Sequence, residues 1–587
     1  MLRSFFTLCC ATLTLLLASE VIAQDWKEAF ATPYELGDGW DSADYETGIK
    51  FYRRLAKESD HVTMQAMGPT DSGFPLHLVL LSDAKRPSLE SIRSGEKPIL
   101  LIINAIHPGE PDGVDASMAL ARDLVFDTEK STKWLEKVSV AIVPFYNIGG
   151  ALNRNSGTRA NQNGPREYGF RGNAKNYDLN RDFVKCDTLN ARSFAEIFHS
   201  LDPDLFIDTH VSNGADYQHV MTFAHSQSDK LGLKLGEYLI SEFEPKLFGR
   251  MKDAGFPSVP YVNSGGQPPE KGFSQFLETP RYSTGYTGLF QTMGFMSETH
   301  MLKPYPQRVS ATRAFLNLAI ELLAEDGSRI KAIRKSDRDT YRQLEEVPIA
   351  WRVDRDKPSQ VEFLGYESSY IESKVTPGMR LFYDRSRPFE QEIPFYNRFA
   401  SSRSVKLPKA YLIPSQWKSV IDLFKLNRIE MDVIDGETEY DCEVYRIEST
   451  ESRTSPYEGH FFHDQVTVSS KQKKVTARPG DVLVSTNQAR ARYVVETLEP
   501  EAMDSFFRWN YFDSILQRKE YFSPYVFEET AEQMLEQDDD LRAEFEKQKE
   551  DDPEFAESRR AQLSFLYQRS KHNEDAYRVY PIVRVIK

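Results

Sequence analysis

The stretch 98–110 reads PILLIINAIHPGE, an apolar run that passes almost at once into a loop carrying His107 and Glu110. A short continuous apolar run bounded by Pro and polar residues reads as a strand buried on both faces, the kind found in largely parallel sheets. His and Glu three residues apart at a strand exit can converge on one metal, offering nitrogen and oxygen donors suited to zinc. Two further runs look the same, 138–144 (VSVAIVP) and 204–209 (DLFIDT). Helical patterns lie between and after them, at 113–126, 191–201 and 230–243. Strands alternating with helices predict an α/β layered domain with its chemistry at the C-terminal ends of strands. The run 204–209 ends beside His210. Two strand exits thus present His107, Glu110 and His210, the three-ligand, one-open-position set of a catalytic zinc. A helix near 307–325 and a charged stretch to about residue 346 are expected to close this domain.

Beyond that point the character changes. Short β-prone pieces such as 361–364 and 482–485 alternate with turns, and 528–573 is a highly charged helical stretch. The chain has 587 residues, which at roughly 150 residues per domain allows two to four units. The expected division is a signal peptide at 1–23, a catalytic domain at 24–345, a β-rich accessory region at 346–500 and a mixed or helical region at 501–587.

Composition narrows the function classes. Hydrophobic residues make up 40% and charged residues 27%, ordinary values for a globular protein. The formal net charge of −15 argues against nucleic acid or anionic lipid as the main partner, since both need a basic footprint. Arg3, an apolar stretch at 5–18 and the small-residue pattern Val21-Ile22-Ala23 read as an export signal. The apolar part is shorter than the roughly 20 residues that span a bilayer, so no membrane anchor is expected after cleavage and the protein is expected to be secreted or periplasmic. Cys9 and Cys10 leave with the signal; Cys186 and Cys442 remain, and sequence does not decide whether they pair.

The motifs HPGEPDG at 107–113, NYDLNRDF at 176–183, IDTH at 207–210 and GFMSETH at 294–300 stand in the order seen in zinc carboxypeptidases. Over about residues 50–325 the chain resembles the carboxypeptidase A-like metallocarboxypeptidases. The resemblance implies an α/β fold with a mixed, twisted central sheet flanked by helices, followed here by a smaller β-rich region and the charged helical C-terminal stretch. It implies one zinc ion per chain on His107, Glu110 and His210, with Asp178 hydrogen-bonding a ligand histidine from behind, which fixes the ring's tautomer. Asn180 and Arg181 match the pair that grips a substrate's C-terminal carboxylate, for which a guanidinium fork is well shaped. Arg171 resembles the arginine that polarises the scissile carbonyl, with Arg159 and Arg166 as competitors. Glu298 resembles the glutamate that takes a proton from the activated water and delivers it to the leaving amine, although SETH departs from the usual apolar lead into that residue. Tyr282 is the candidate for the tyrosine that closes on substrate, with Tyr286 as the fallback. The floor of the side-chain pocket is expected between Tyr282 and Glu298, a neutral segment containing Thr287, Leu289, Phe290, Thr292 and Met293.

The implied activity is hydrolysis of the last peptide bond of a peptide with a free C-terminus. Two other readings stay open: a related zinc amidohydrolase acting on cell-wall peptides or acyl-amino acids, and a non-catalytic module that only holds a peptide tail. The histidines His219, His225, His460 and His463 read as structural, and His300 as a neighbour of the site rather than a ligand. The sequence has no H-E-x-x-H, G-x-S-x-G or Walker-type motif, which removes support for zincin, serine hydrolase and NTPase readings.

Overall fold

In a computed structural model, which describes residues 26–586, the apolar run after Pro98 becomes the third strand, ILLII, of an eight-stranded sheet. Its strands are β1 (Val62–Pro69), β2 (Pro75–Leu81), β3 (Ile99–Ile103), β4 (Ser139–Val143), β5 (Leu205–Ser212), β6 (Met221–His225), β7 (Val259–Pro260) and β9 (Met293–His300). Strand β8 (Phe273–Ser274) stands apart and pairs in parallel with the end of Met379–Tyr396. The order across the sheet is β1-β2-β4-β3-β5-β9-β6-β7. The inner four strands, β4-β3-β5-β9, are mutually parallel, whereas β1–β2, β2–β4 and β6–β9 are antiparallel. The sheet is therefore mixed, as the resemblance implies.

Every residue of β3, β4, β5, β6 and β9 is buried, the mark of a sheet covered on both faces. The covering helices include α1 (Tyr45–Glu58), α2 (Asp112–Phe126), α3 (Leu189–Leu201) and α4 (Tyr305–Tyr341). Helix α4 runs on for 37 residues, well past residue 325. Its charged half keeps a buried stripe of Ile330, Arg334, Asp337 and Tyr341 at helical spacing, with Arg334 paired to Asp202 and Asp204. The antiparallel hairpin β1–β2, absent from the sequence reading, is closed by Thr70-Asp71-Ser72-Gly73, where Gly73 sits at φ +82°.

The chain divides into two compact units. The first comprises the residues up to Leu407 together with Gln416–Met431 and Val484–Ser505, and holds the eight-stranded sheet. The second comprises Pro408–Ser415, Asp432–Leu483 and Phe506–Lys587. Within it, the long hairpin Thr438–Ser452 with His463–Ala477 continues through Val583–Val585 to Ala410–Ile413, and four helices between Pro524 and Tyr567 share a small core around Phe527, Phe545 and Phe555. Cys186 and Cys442 are buried free thiols. The signal-peptide reading of 1–23 lies outside the described residues. Among the described residues no helix is long and apolar enough to cross a membrane.

Candidate active site

The loop leaving β3 turns sharply: Ala105 has φ +55°, unusual for a residue with a side chain. Asn147, fully buried, bridges this loop to another by donating its amide to the carbonyls of Ile106 and Arg171 (3.3 and 2.9 Å). The Glu110 amide then donates to the His107 carbonyl at 2.8 Å, a tight turn that folds the Glu110 carboxylate back beside the His107 ring. Gly109 leaves room inside that turn for Arg159, whose Cδ a Cβ there would meet at 2.6 Å and push aside.

The third residue comes from the neighbouring strand. His210 lies within β5, since the strand runs on to Ser212, and Glu110 Oε2 is 3.1 Å from its Nδ1 and 3.4 Å from His107 Nδ1. One donor atom each from His107, Glu110 and His210 lies within 4.8 Å of the others, and all three residues are buried. Two imidazole nitrogens and a carboxylate, with both Nδ1 atoms facing the same oxygen, fit a zinc ion with a position left for substrate or water.

Behind each imidazole stands a carboxylate. Asp178 Oδ1 is 2.9 Å from His107 Nε2, and Asp208 Oδ2 is 2.8 Å from His210 Nε2. Burial alone would raise the Asp178 pKa, but His107, Arg171 and Arg181 outweigh it and hold the carboxyl well below its usual range. Asp208 was not foreseen. It sits two residues before His210 on one strand, so both side chains leave the same face, and that spacing was the available signal. Such partners fix a ligand's orientation. Asp208→Ala is therefore expected to weaken zinc binding by about 10–100-fold in a chelator competition titration, and unchanged affinity would remove Asp208 from the metal's support.

Glu298 is placed by sheet register, because β5 and β9 pair in parallel with His210 opposite Glu298. Its carboxyl is buried, and the pKa is pushed up to about 8, chiefly by that burial; the Glu110 and Asp208 carboxylates add to the shift, while His210 and Arg171 oppose it.

Every residue proposed for the site except Asp178 lines one cleft of about 490 Å³: His107, Glu110, Arg171, Asn180, Arg181, His210, Tyr282 and Glu298. Arg171 donates from Nε to Asp178 at 3.0 Å and brings Nη1 to 3.7 Å from Glu110. Of its competitors, Arg159 also lines the cleft and donates to Glu110 Oε1 at 2.8 Å. Arg166 is instead an exposed side chain paired with Asp38 and Asp41. Asn180 is buried and accepts from the Ser283 amide at 3.1 Å, while the Arg181 guanidinium lies 4.5 Å from the centre of the Tyr282 ring. Tyr286 is part of the core, its hydroxyl 2.6 Å from Asn427 Oδ1.

Of the segment expected to form the pocket floor, Met296 reaches the cleft and the five residues named do not. Thr287, Leu289, Phe290, Thr292 and Met293 are all buried away from the cleft, because the short helix Ser283–Gly288 carries the chain into the core, where Phe290 packs on Tyr286, His199 and Tyr493. The apolar part of the cleft is built by Tyr261, Phe276, Met296 and Met301. The discounted histidines have local partners. His219 bonds the Pro257 carbonyl, His225 faces Glu244, His463 bonds Ser452 and Asp513, and His300 stacks on Tyr217 beside Asp216.

Residues 49–234, which contain all three candidate metal ligands, match the family model described as zinc carboxypeptidase. It is this part of the chain that is similar to zinc carboxypeptidases. Carboxypeptidase 2 of Trichophyton equinum is 24% identical over 479 residues, covering 78% of this chain and 82% of its own. Probable carboxypeptidase 2 of Trichophyton verrucosum is 23% identical over 480 residues, covering 78% of this chain and 86% of its own. That coverage exceeds the span of about 50–325 over which the motifs alone carry the resemblance. Among solved structures, carboxypeptidase A from Helicoverpa armigera aligns at 14% identity with a TM-score of 0.37, over 54% of this chain and 81% of that one.

Proposed function

We propose that this zinc carboxypeptidase-like part makes the chain an exported metallocarboxypeptidase, which hydrolyses the C-terminal bond of peptides bearing a free carboxylate. The observation that supports it is the meeting in one cleft of a His-Glu-His metal group, a buried carboxyl one strand away and an Asn-Arg pair. A zinc ion on His107, Glu110 and His210 would supply Lewis acidity for a water and for the scissile carbonyl. Glu298 carries the proton from that water to the leaving amine, and its raised pKa suits a group that must both take and give a proton near neutral pH. Arg171 faces the cleft and stabilises negative charge on the carbonyl oxygen. Asn180 and Arg181 hold the terminal carboxylate and so set which bond is cut, with the Tyr282 ring beside the guanidinium.

The test is one peptide in two forms, free acid and C-terminal amide. Amidation removes the charge that Arg181 is placed to bind, so kcat/KM should fall on the order of 10–100-fold, the size of a lost charge-assisted hydrogen bond. Arg181→Ala should weaken cleavage of the acid and blunt the difference between the two forms. Equal values for acid and amide would overturn the carboxypeptidase reading and favour an amidohydrolase.

A further inference from the structure

Tyr282 occupies the middle of a three-residue stretch whose two ends are tied to different parts of the first unit. At one end Arg281 is gripped by Asp504. The Arg281 amide donates to Asp504 Oδ2 at 2.9 Å, its Nε donates to Oδ1 at 2.7 Å, and Nη2 lies 2.6 Å from Oδ1. The Arg281 carbonyl in turn accepts from the Phe183 amide at 3.3 Å, two residues beyond Arg181. At the other end the Ser283 hydroxyl donates to Asp208 at 2.7 Å, and its amide donates to Asn180. Asp504 is 1% exposed, and the helix that leads towards it, Ala491–Leu498, is buried at every position. This is a rigid mount. It lies 223 residues from Arg281 in sequence and far outside the stretch that matches the zinc carboxypeptidase model.

We infer that Asp504 is a positioning residue for substrate binding: it fixes Arg281 so that Tyr282 is held against Arg181 in the wall of the cleft. A carboxylate that takes the guanidinium on one oxygen and the backbone amide on the other fixes the main chain as well as the side chain. Tyr282, anchored on both sides, is then a preset wall of the clamp, and a substrate's terminal residue meets Arg181 already stacked. The inference rests on the reading of Arg181 and Tyr282 as substrate contacts.

Asp504→Asn keeps the shape of the side chain and removes the charge, and its test has two independent readouts. Amide hydrogen exchange should quicken within 279–287 and stay as in the parent protein across the central strands. For a free-acid peptide, KM should rise by about 10-fold while kcat moves by less than about threefold, since a lost charge-assisted anchor acts on binding rather than on the proton carrier. Placed in a Tyr282→Ala background, Asp504→Asn should have little further effect on KM, because the two act through one side chain. Unchanged exchange in 279–287, or faster exchange spread evenly over the sheet, would overturn the inference; so would full additivity with Tyr282→Ala. If Asp504→Asn does not accumulate as folded protein, Arg281→Lys keeps the charge, loses the fork and carries the same expectations. Should the parent protein cleave no peptide, the proposed function fails while the exchange experiment still decides the role of Asp504.

Discussion

Glu298→Gln is expected to keep its zinc and its fold and to lose turnover by about 10²–10⁴-fold or more, the usual contribution of a positioned proton carrier. Gln is isosteric with Glu, so the packing of β9 between β5 and β6 is unchanged and the position opposite His210 is retained. What changes is the capacity to exchange a proton. In the parent protein burial and two neighbouring carboxylates destabilise the charged form, while His210 and Arg171 favour it. A carboxyl balanced in this way can hold or release a proton as its surroundings change, and an amide cannot. The decisive measurement is kcat on a zinc-loaded variant whose metal content equals that of the parent. Near-normal turnover would move the role away from Glu298, to a nearby carboxylate outside the cleft lining. It would also leave room for the tail-binding module, which has no need of a proton carrier.

The second large effect is loss of the metal. His107→Ala and His210→Ala should each fail to hold stoichiometric zinc and lose activity with it, because a catalytic zinc relies on three protein ligands and each substitution leaves two. The effect should exceed that of Asp208→Ala, which removes only the support behind a ligand. Protons compete for the same nitrogens. Burial lowers the His210 pKa, but Asp208, Glu110 and Glu298 together drive it well above its ordinary value, so zinc affinity should decline as the medium is acidified. Metal content by elemental analysis after dialysis, measured at two pH values, checks both statements. Full zinc occupancy in both alanine variants would refute the ligand assignment.

Much of this arrangement was legible in the sequence, for physical reasons that differ from residue to residue. The run after Pro98 reads as a strand because a run buried on both faces has no alternation to blur it, and Ile99–Ile103 is one. The strands bearing His210 and Glu298 are longer than their apolar runs suggested. His210-Val211-Ser212 and Glu298-Thr299-His300 are largely polar, yet they stay buried because they pair with each other in register, and Glu298 and Thr299 pair with β6 as well. The charged half of α4 hid its buried face for the opposite reason: Arg334 and Asp337 are inside, and polarity made them read as surface. Asp208 was within reach, two residues from a proposed ligand on a strand. Asp504 was not, since nothing in its local sequence links it to Arg281. Long-range ion pairs leave no period to read.

The register that sets His210 opposite Glu298 has a consequence for how the molecule responds to heat. Those two side chains are spaced by backbone hydrogen bonds between interior strands, whereas His107, Glu110 and Arg171 stand on loops outside the sheet. Local opening in proteins begins in such irregular segments and reaches central strands last. The site therefore contains parts of unequal thermal endurance. As temperature climbs, the groups carried on loops are expected to lose their places while His210 and Glu298 are still held at one spacing, so activity is expected to fade before the sheet itself comes apart.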